Sequence, residues 1–230
     1  MTPALRRLLL PALVTAVAVL ILLGLGTWQV ERLQWKRAIL AQIDAGERAP
    51  PVPLGPHPEP FTKVTVSGRF RFDKAALYGA EVRQERGGAI MGAQQIVPLE
   101  RTGAPPILVE RGWVPGTPSS PVDQPTGEVA VTGYVRPGEP AHWFTPATDL
   151  AGRRFYALDP EAMGVALGLP KPAPFVLVAL GSVPPGQYPV PAGSLPRPQN
   201  NHLSYAITWY GLAVAAIAVF IVWARKRPEP

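Results

Sequence analysis

The sequence LLLPALVTAVAVLILLGLGTWQV at positions 8–30 determines the class of this protein. It contains no charged residue, and Leu, Val, Ala and Ile make up most of it. A second uncharged run, LSYAITWYGLAVAAIAVFIVWA, occupies positions 203–224. Each run reaches the roughly 20 residues with which an α-helix crosses a hydrocarbon core of about 30 Å. Because the backbone in lipid must satisfy its own hydrogen bonds, both runs are predicted to be transmembrane helices.

The alternative interpretation of the first run is a cleaved secretory signal peptide. Arg6 and Arg7 would form its positively charged region, and Ala16-Val17-Ala18 resembles a weak cleavage motif. The apolar run continues well beyond that motif, however, and exceeds the roughly 7–15 residues of a typical signal peptide core. An uncleaved anchor is therefore favoured.

The basic residues beside the two runs predict their orientation. Arg6 and Arg7 precede the first run, and three basic residues follow the second at 225–227. Because cytoplasmic flanks carry an excess of Lys and Arg, both termini are predicted to be cytoplasmic. Three basic residues just beyond the first run oppose this assignment: Arg32, Lys36 and Arg37. Long domains cross membranes largely regardless of charge, so the central region is still predicted to be extracytoplasmic.

These features divide the chain into segments. The prediction is a cytoplasmic tail at 1–7, transmembrane helix 1 at 8–30, an extracytoplasmic β-rich domain with an N-terminal helical extension and proline-rich links at 31–198, transmembrane helix 2 at 199–224, and a second cytoplasmic tail at 225–230. The N-terminal tail leaves no room for an organellar transit peptide. This favours a multi-pass protein of a bacterial inner membrane with a periplasmic central domain.

Composition excludes several classes of function. The formal net charge is +6, and the tails, with five basic residues and one acidic residue, carry +4 of it. The charge is therefore a topology signal, and no nucleic-acid partner is predicted. The chain has no cysteine, which excludes thiol redox chemistry and Cys-ligated metals. Its three methionines give no support for thioether copper binding, so neither a copper nor a zinc site is predicted.

Between the two runs the sequence first continues as helix and then changes to strands. Val30–Ile43 has helical spacing, and the helix is predicted to continue to Gly46, before the prolines at 50–53. Beyond that link, short alternating or apolar segments are separated by Pro- and Gly-rich joints. The predicted strands are Phe61–Phe72, Gly92–Leu99, Ile107–Val114, Glu128–Val135, Arg153–Leu158 and Phe175–Gly181.

Strands at this spacing predict a mainly antiparallel, barrel- or sandwich-like β domain. One helix interrupts them at Pro160–Leu167, with Asp159 as its N-cap and Gly168 as its C-terminal stop. The predicted fold class is therefore a membrane protein in which two transmembrane helices flank a mainly antiparallel α+β extracytoplasmic domain.

The start of the second run carries the most informative polar residue. His202 is predicted to share a helical face with Tyr205, Ala206, Trp209 and Ala213. One interpretation is an amphipathic belt at the membrane interface, where His, Tyr and Trp are common. The other is axial coordination of a haem iron by a neutral imidazole. The small alanines leave room for a flat ring, or for close packing of the first helix through Gly24 and Gly26.

Four segments together resemble one family. NNHLSYAITWYGLA at 200–213 closely resembles the C-terminal signature of the surfeit locus protein one family, the assembly factors of cytochrome c oxidase. GTWQVERLQWKRAILAQID at 26–44, LVERGWVP at 108–115 and FTPATDLAGRRFYALDPEAMGVALGL at 144–169 resemble other segments of that family. One departure is Thr148-Asp149-Leu150, where the family often has Asn-Asp-Pro, and it affects only the local turn.

The resemblance implies a bacterial member with a non-catalytic role in assembling haem–copper oxidases. The implied cofactor is haem a, with His202 as axial ligand of its iron. Cytochrome c oxidase subunit I and haem a synthase are the implied partners, besides the lipid bilayer. The alternative is a membrane-anchored scaffold that binds oxidase subunits or assembly partners without touching haem.

Other residues of the two helix entries are candidates for the same cofactor site. Trp28, Arg32 and Trp35 fall on one face of the first helix, and Tyr205 and Trp209 accompany His202 on the second. Arg32, with its basic neighbours, could pair with haem propionates, although contact of these side chains with lipid headgroups is the more common explanation. The tryptophans are equally explained as interfacial anchors or as helix packing.

Enzymatic function has no motif support in this sequence. No serine lies in a G-x-S-x-G elbow, no H-E-x-x-H pair is present, and no phosphate-binding GxxxxGK exists. His57 is predicted to be solvated and His142 to be structural. Glu110 and Arg111 are predicted to form a local ion pair at a strand edge. No catalytic residue is therefore predicted, and the protein is expected not to be an enzyme.

Overall fold

Helix α1 comprises Pro3–Arg48 and contains the first apolar run, and helix α3 comprises His202–Arg225 and contains the second. The computed structural model describes residues 3–85 and 88–226, without the side chains of 3–7 and 85. Both helices are long and apolar enough to cross a membrane. Helix α1 continues two residues beyond the predicted end at Gly46. The outermost predicted tail residues, 1–2 and 227–230, lie outside the described residues.

The chain divides into two compact units. One contains the two ends of the chain, up to Gln42 and from Arg197 onward, and thus most of α1 and all of α3. The other, Ile43–Pro196, contains the strands and the short helix α2 at Pro160–Ala166. The described strands are β1 (Val52–Pro53), β2 (Lys63–Phe70), β3 (Ala76–Glu85), β4 (Gly88–Arg101), β5 (Ala104–Pro115), β6 (Val129–Pro137), β7 (Arg154–Phe155) and β8 (Phe175–Ala179).

Five of these strands pair in a closed ring. The order along the sheet is β1-β2-β6-β8-β5-β4-β3-β7, and β2 also pairs with β4. Residues 63–68 of β2 pair with β6, whereas Arg69 and Phe70 pair with Glu100 and Leu99 of β4. The ring β2-β6-β8-β5-β4 is therefore a small barrel with β3 and β7 extending from β4.

The barrel is filled by β-branched, aliphatic and aromatic side chains. All five ring strands contribute to one buried cluster, formed by Val64, Val66, Leu99, Ile107, Val109, Val131, Val135, Phe175 and Leu177, with Ala173 just before β8. Because successive side chains of a strand point to opposite faces, the intervening residues of β5 face outward. These outward residues are buried as well, since a second cluster packs α2 against the sheet.

The sheet is mixed, so the prediction of a mainly antiparallel domain was wrong. Pairs β1–β2, β3–β7 and β5–β8 are parallel, whereas β2–β4, β2–β6, β3–β4, β4–β5 and β6–β8 are antiparallel. Strand β8 lies between β5 and β6 and runs parallel to β5. Local alternation indicates that a segment is a strand but not which strand it pairs with. The α+β class itself agrees with the structure.

The short helix α2 has the predicted ends. The Asp159 side chain accepts hydrogen bonds from the backbone N–H groups of Glu161 and Ala162, and Pro160 occupies the first turn. Gly168 follows the helix at φ +60°, a conformation that favours glycine. The buried face of α2 carries Met163, which contributes to the cluster on the outside of the barrel.

Strand β3 was not predicted from the sequence. Its charged side chains and Gly79 obscure the alternation that marks β2. On β5, Gly112 adopts φ +133°, and a Cβ added there would lie 2.1 Å from the carbonyl oxygen of Val190. This explains the glycine before Trp113, because only glycine combines that backbone conformation with so close an approach.

Candidate functional site

Helices α1 and α3 are joined by a hydrogen bond between two side chains. Nδ1 of His202, the first residue of α3, lies 2.7 Å from Oε1 of Gln29 on α1. Gln29 is 8% exposed, although it occupies an uncharged run, whereas His202 is half-buried. Among the described residues, Nε2 of His202 has no hydrogen-bond partner. The imidazole is thus held at one nitrogen and free at the other.

Close packing continues from this contact along α3. Ala206 and Ala213 are each 2% exposed, one and three turns beyond the histidine. On α1, a Cβ added to Gly26 would lie 2.7 Å from the Tyr210 ring. The Tyr210 hydroxyl also lies 3.1 Å from the hydroxyl of Thr27. Small residues let two helices approach closely, and the hydroxyl pair adds a directional contact.

The prediction of close packing through glycines is confirmed for Gly26 and wrong for Gly24. No atom outside its own helix backbone and chain neighbours lies within 4 Å of a Cβ added at Gly24. Two residues along a helix differ in direction by about 200°, so Gly24 and Gly26 cannot both face the same neighbour. Only the second of the two glycines is therefore needed for the contact.

The aromatic and basic candidates of α1 lie on another face of that helix. Trp28 and Trp35 are about half exposed, and the Arg32 guanidinium carbon lies 3.7 Å from the centre of the Trp35 ring. Because successive helical residues are about 100° apart, Gln29 and Leu33 form a separate face. Both are buried, so this face is the one that packs inward.

The aromatic candidates of α3 differ in exposure. Tyr205 is exposed and Trp209 is half-buried, whereas Ala206 between them faces the protein. Just before the helix, the Oδ1 atom of Asn200 is buried without a hydrogen-bond partner, the single such side-chain atom among the described residues. A buried polar atom without a partner is costly, so this oxygen is available to accept a hydrogen bond from a bound molecule.

Sequence reasoning missed Gln29. The face of α1 was assigned from its aromatic and basic side chains, which stand out in the pattern. The available signal was an amide side chain inside an uncharged apolar run, where an unpartnered polar group is costly. Such a glutamine implies a partner on another segment, and His202 is that partner.

The barrel unit has its own buried charged residues, Glu110 and Arg111. They lie within β5, which has β4 and β8 on its two sides, and not at a strand edge as predicted. They do not pair with each other either: Glu110 contacts Arg136 at 3.4 Å, and Arg111 contacts Asp123 at 3.2 Å. Neighbouring strand residues face opposite sides of the sheet, which explains the separate partners.

Burial shifts the titration of these groups. The pKa of the Glu110 carboxyl is raised by its removal from water, which outweighs the attraction of Arg136. The same cause raises the pKa of Tyr134 to about 12. Burial lowers the pKa of Arg111, whose guanidinium also lies 5.0 Å from the ring centres of both Phe70 and Phe72.

The other two histidines are exposed. His57 lies in the proline-rich link, as predicted. His142 belongs to a turn: its Nδ1 accepts a hydrogen bond from the backbone of Phe144, and its own backbone N–H donates to Thr145. Among the described residues, no three His, Cys, Asp or Glu side chains cluster as they would around a metal ion.

The SURF1 family model matches residues 16–214 of the chain, which include α1 from its apolar run, the whole barrel and the contact of Gln29 with His202. The chain belongs to the SURF1 family. It is 32% identical over 224 residues to surfeit locus protein 1 of Homo sapiens, covering 88% of this chain and 73% of the human protein. It is 28% identical over 214 residues to a SURF1-like protein of Rickettsia conorii, covering 90% of this chain and 88% of that protein. Surfeit locus protein 1 of Xenopus tropicalis is 30% identical over 225 residues, covering 88% of this chain and 71% of the frog protein.

Membership of the SURF1 family confirms the resemblance inferred from the four sequence segments. The matched region includes every one of those segments. The second apolar run begins at Leu203, and the matched region ends eleven residues later, within α3. The residues of α1 around Gln29 and the start of α3 at His202 therefore both lie within the region that the family model matches.

Proposed function

We propose that this SURF1 family member is a non-catalytic assembly factor for cytochrome c oxidase that holds haem a through His202. The observation that carries the proposal is the imidazole itself. Its Nδ1 contacts Gln29 at 2.7 Å, and its Nε2 has no partner among the described residues. A neutral imidazole oriented by a hydrogen bond at one nitrogen is a standard ligand for haem iron at the other.

The donor set around His202 fits a haem group. The iron needs one uncharged nitrogen donor, which Nε2 supplies. The buried Oδ1 of Asn200, two residues earlier, can accept a hydrogen bond from the ligand. When bound, the haem would supply a redox-active iron. The haem itself is sparingly soluble in water. The protein's own contribution would be to hold the group through His202 and to shield it from solvent with apolar side chains of the two helices.

The remaining candidates have supporting roles in this proposal. The Arg32 guanidinium carbon lies 3.7 Å from the centre of the Trp35 ring, and the N–H groups of this side chain would pair with the propionates of a haem. Trp28, Tyr205 and Trp209 would line the apolar part of the ligand. Each of these side chains serves equally well at a lipid headgroup, whereas His202 supplies the nitrogen that the iron needs.

The cellular arrangement follows from the same reasoning. The two apolar helices would cross a bacterial inner membrane, with both termini cytoplasmic and the barrel periplasmic. The site would then lie near the membrane surface, where haem a from haem a synthase reaches subunit I of the oxidase. Because the ligand is apolar and redox-active, a protein that binds it with moderate affinity would keep it from diffusing freely before transfer.

A second candidate function is a scaffold that binds oxidase subunits or assembly partners without touching haem. It is favoured by an exposed aromatic pair on the barrel unit. Trp143 is 85% exposed and Phe144 is 69% exposed, and their ring centres lie 3.5 Å apart. Exposed aromatic side chains are frequent anchors of protein–protein interfaces.

Absorption spectroscopy tests the haem proposal directly. The full chain is produced in cells that synthesise haem a and purified in detergent as wild type, His202→Ala and His142→Ala. The second variant is the matched control, because it removes an exposed histidine in a turn. We expect a haem a spectrum from wild type and His142→Ala, and its loss from His202→Ala. A wild-type preparation without haem, or an unchanged spectrum in His202→Ala, would contradict the proposal.

A further inference from the structure

The contact between Gln29 and His202 also fixes a property of the imidazole that no sequence motif specifies. A neutral histidine carries its proton on either Nδ1 or Nε2, and only the unprotonated nitrogen can bind a metal. Which tautomer is present depends on the hydrogen bond made by the other nitrogen. In this protein, Nδ1 faces an amide oxygen at 2.7 Å.

An amide oxygen accepts hydrogen bonds and cannot donate one. At 2.7 Å, an unprotonated Nδ1 would bring two lone pairs together, whereas a protonated Nδ1 forms a short hydrogen bond. The proton therefore belongs on Nδ1, and Nε2 keeps its lone pair. Among the described residues, nothing else contacts the ring through a hydrogen bond, so Gln29 alone decides between the tautomers.

Burial makes this selection strong. Gln29 is 8% exposed, and its Oε1 has no other hydrogen-bond donor among the described residues. Without the histidine proton, the amide oxygen would be left unpaired in an apolar surrounding, which is costly. The preference for the Nδ1–H form is thus enforced by both partners.

The helix contact also fixes the position of Gln29. Three residues before it, the Gly26 backbone packs against the Tyr210 ring, and the Thr27 hydroxyl contacts the Tyr210 hydroxyl. These contacts set the register between α1 and α3 in which Gln29 reaches His202. Pairing of the two helices and selection of the tautomer are therefore coupled.

We propose that Gln29 is a positioning residue that holds His202 as the Nδ1–H tautomer and thereby keeps Nε2 ready to bind iron. The proposal rests on the proposed function for its purpose, but the tautomer itself is a property of the haem-free protein. The two can therefore be tested separately.

The first test is nitrogen NMR of the full chain, labelled at histidine and reconstituted in lipid bilayers without haem. The chain has three histidines, so the His202 signals are identified by their absence from His202→Ala. At a pH where the ring is neutral, we expect a protonated nitrogen at Nδ1 and an unprotonated nitrogen at Nε2. In Gln29→Leu, which keeps the side-chain size and removes the acceptor, we expect a mixture of tautomers. In Gln29→Glu, whose carboxylate accepts the same hydrogen bond, we expect the Nδ1–H form again.

A protonated Nε2 in the wild type would overturn the proposal, since it would mean that the amide presents its NH₂ group to the histidine. An unchanged tautomer in Gln29→Leu would overturn it as well. Both outcomes are independent of haem binding. If the wild-type chain shows the Nδ1–H tautomer but never binds haem a, the proposed function fails while the role of Gln29 stands.

The second test measures haem a affinity of the same variants in detergent. Loss of a partner that orients a metal-binding histidine typically costs 10- to 100-fold in metal affinity. We expect a weakening of that order in Gln29→Leu and recovery in Gln29→Glu. Circular dichroism of each variant verifies that the helices are intact. Equal affinities of wild type and a folded Gln29→Leu would contradict the role of Gln29 in binding.

Discussion

Gln29 lies 2.7 Å from His202 across 173 residues of sequence, so the candidate site is assembled from the two ends of the chain. Neither helix contains the site alone. The whole barrel unit lies between them in the sequence. A change that disturbs the contact between α1 and α3 should therefore affect His202 without altering any residue that touches a ligand.

Gly26 provides a test of that dependence. Gly26→Val places atoms where the Tyr210 ring lies, because even a Cβ would come within 2.7 Å of it. Overpacking of this kind costs about 1–3 kcal/mol, so we expect a lower thermal midpoint of the full chain in detergent and weaker haem binding. Gly24→Val is the matched control, since no neighbour lies within 4 Å of a Cβ there. Equal effects of the two substitutions would contradict the described helix contact.

Two tryptophans of the barrel unit should differ sharply in their contribution to stability. Trp113 is fully buried, its indole N–H donates to the Glu81 carbonyl, and it packs edge-on against Tyr188. We expect Trp113→Ala to lower the free energy of unfolding by about 3–5 kcal/mol. Trp143→Ala, at an exposed position, should change it by about 0.5 kcal/mol or less. Urea unfolding of the full chain measures both, and a stable Trp113→Ala variant would count against the described core.

The buried Glu110 predicts a pH dependence of stability. Its pKa is raised above the ordinary value of 4.5 by burial, so the folded state holds this proton more tightly than the unfolded state. The free energy of unfolding should therefore fall as pH rises from 4.5 until the folded carboxyl has ionised, and this loss persists at higher pH. Below 4.5 both states are protonated, and the contribution of Glu110 disappears.

Glu110→Gln should abolish that fall, as measured by urea unfolding of the full chain at a series of pH values. The attraction of Glu110 to Arg136 belongs to the same titration, because it exists only while Glu110 is ionised, so the substitution removes both together. Glu139→Gln is the control, because it removes the other carboxylate that contacts Arg136 and leaves Glu110 in place. A wild-type slope that survives in Glu110→Gln would assign the titration to another group.

The sequence was sufficient for features that depend on local chemistry. The lengths of the two uncharged runs predicted both apolar helices. Asp159 and Gly168 predicted the two ends of α2. Alternation located most strands. What it could not provide is which strands are neighbours. Strand β8 runs parallel to β5, although β6, β7 and α2 lie between them in the sequence, and pairing across such a distance leaves no local pattern.

In the candidate site, too, features of the local sequence could be predicted, whereas the contact between distant segments could not. His202 stands out as an imidazole at the start of an apolar run, so its position could be predicted from sequence. The partner of its Nδ1 could not, because helical periodicity alone does not say which face of α1 meets α3. Trp28, Arg32 and Trp35 form the more conspicuous face, yet the buried face carries Gln29 and Leu33. A polar side chain in an apolar run was the overlooked signal.

In the proposed function, His202 holds haem a for insertion into the oxidase. The most direct measurement is the haem a content of oxidase subunit I in cells whose only SURF1 family member is this protein, as wild type or His202→Ala at equal abundance. We expect His202→Ala to lower the amount of haem a per subunit I, while association of the variant with the subunit, measured by co-purification, is unchanged. Full haem a content of subunit I in cells with His202→Ala would rule out this role of His202 and favour a scaffold that does not touch haem.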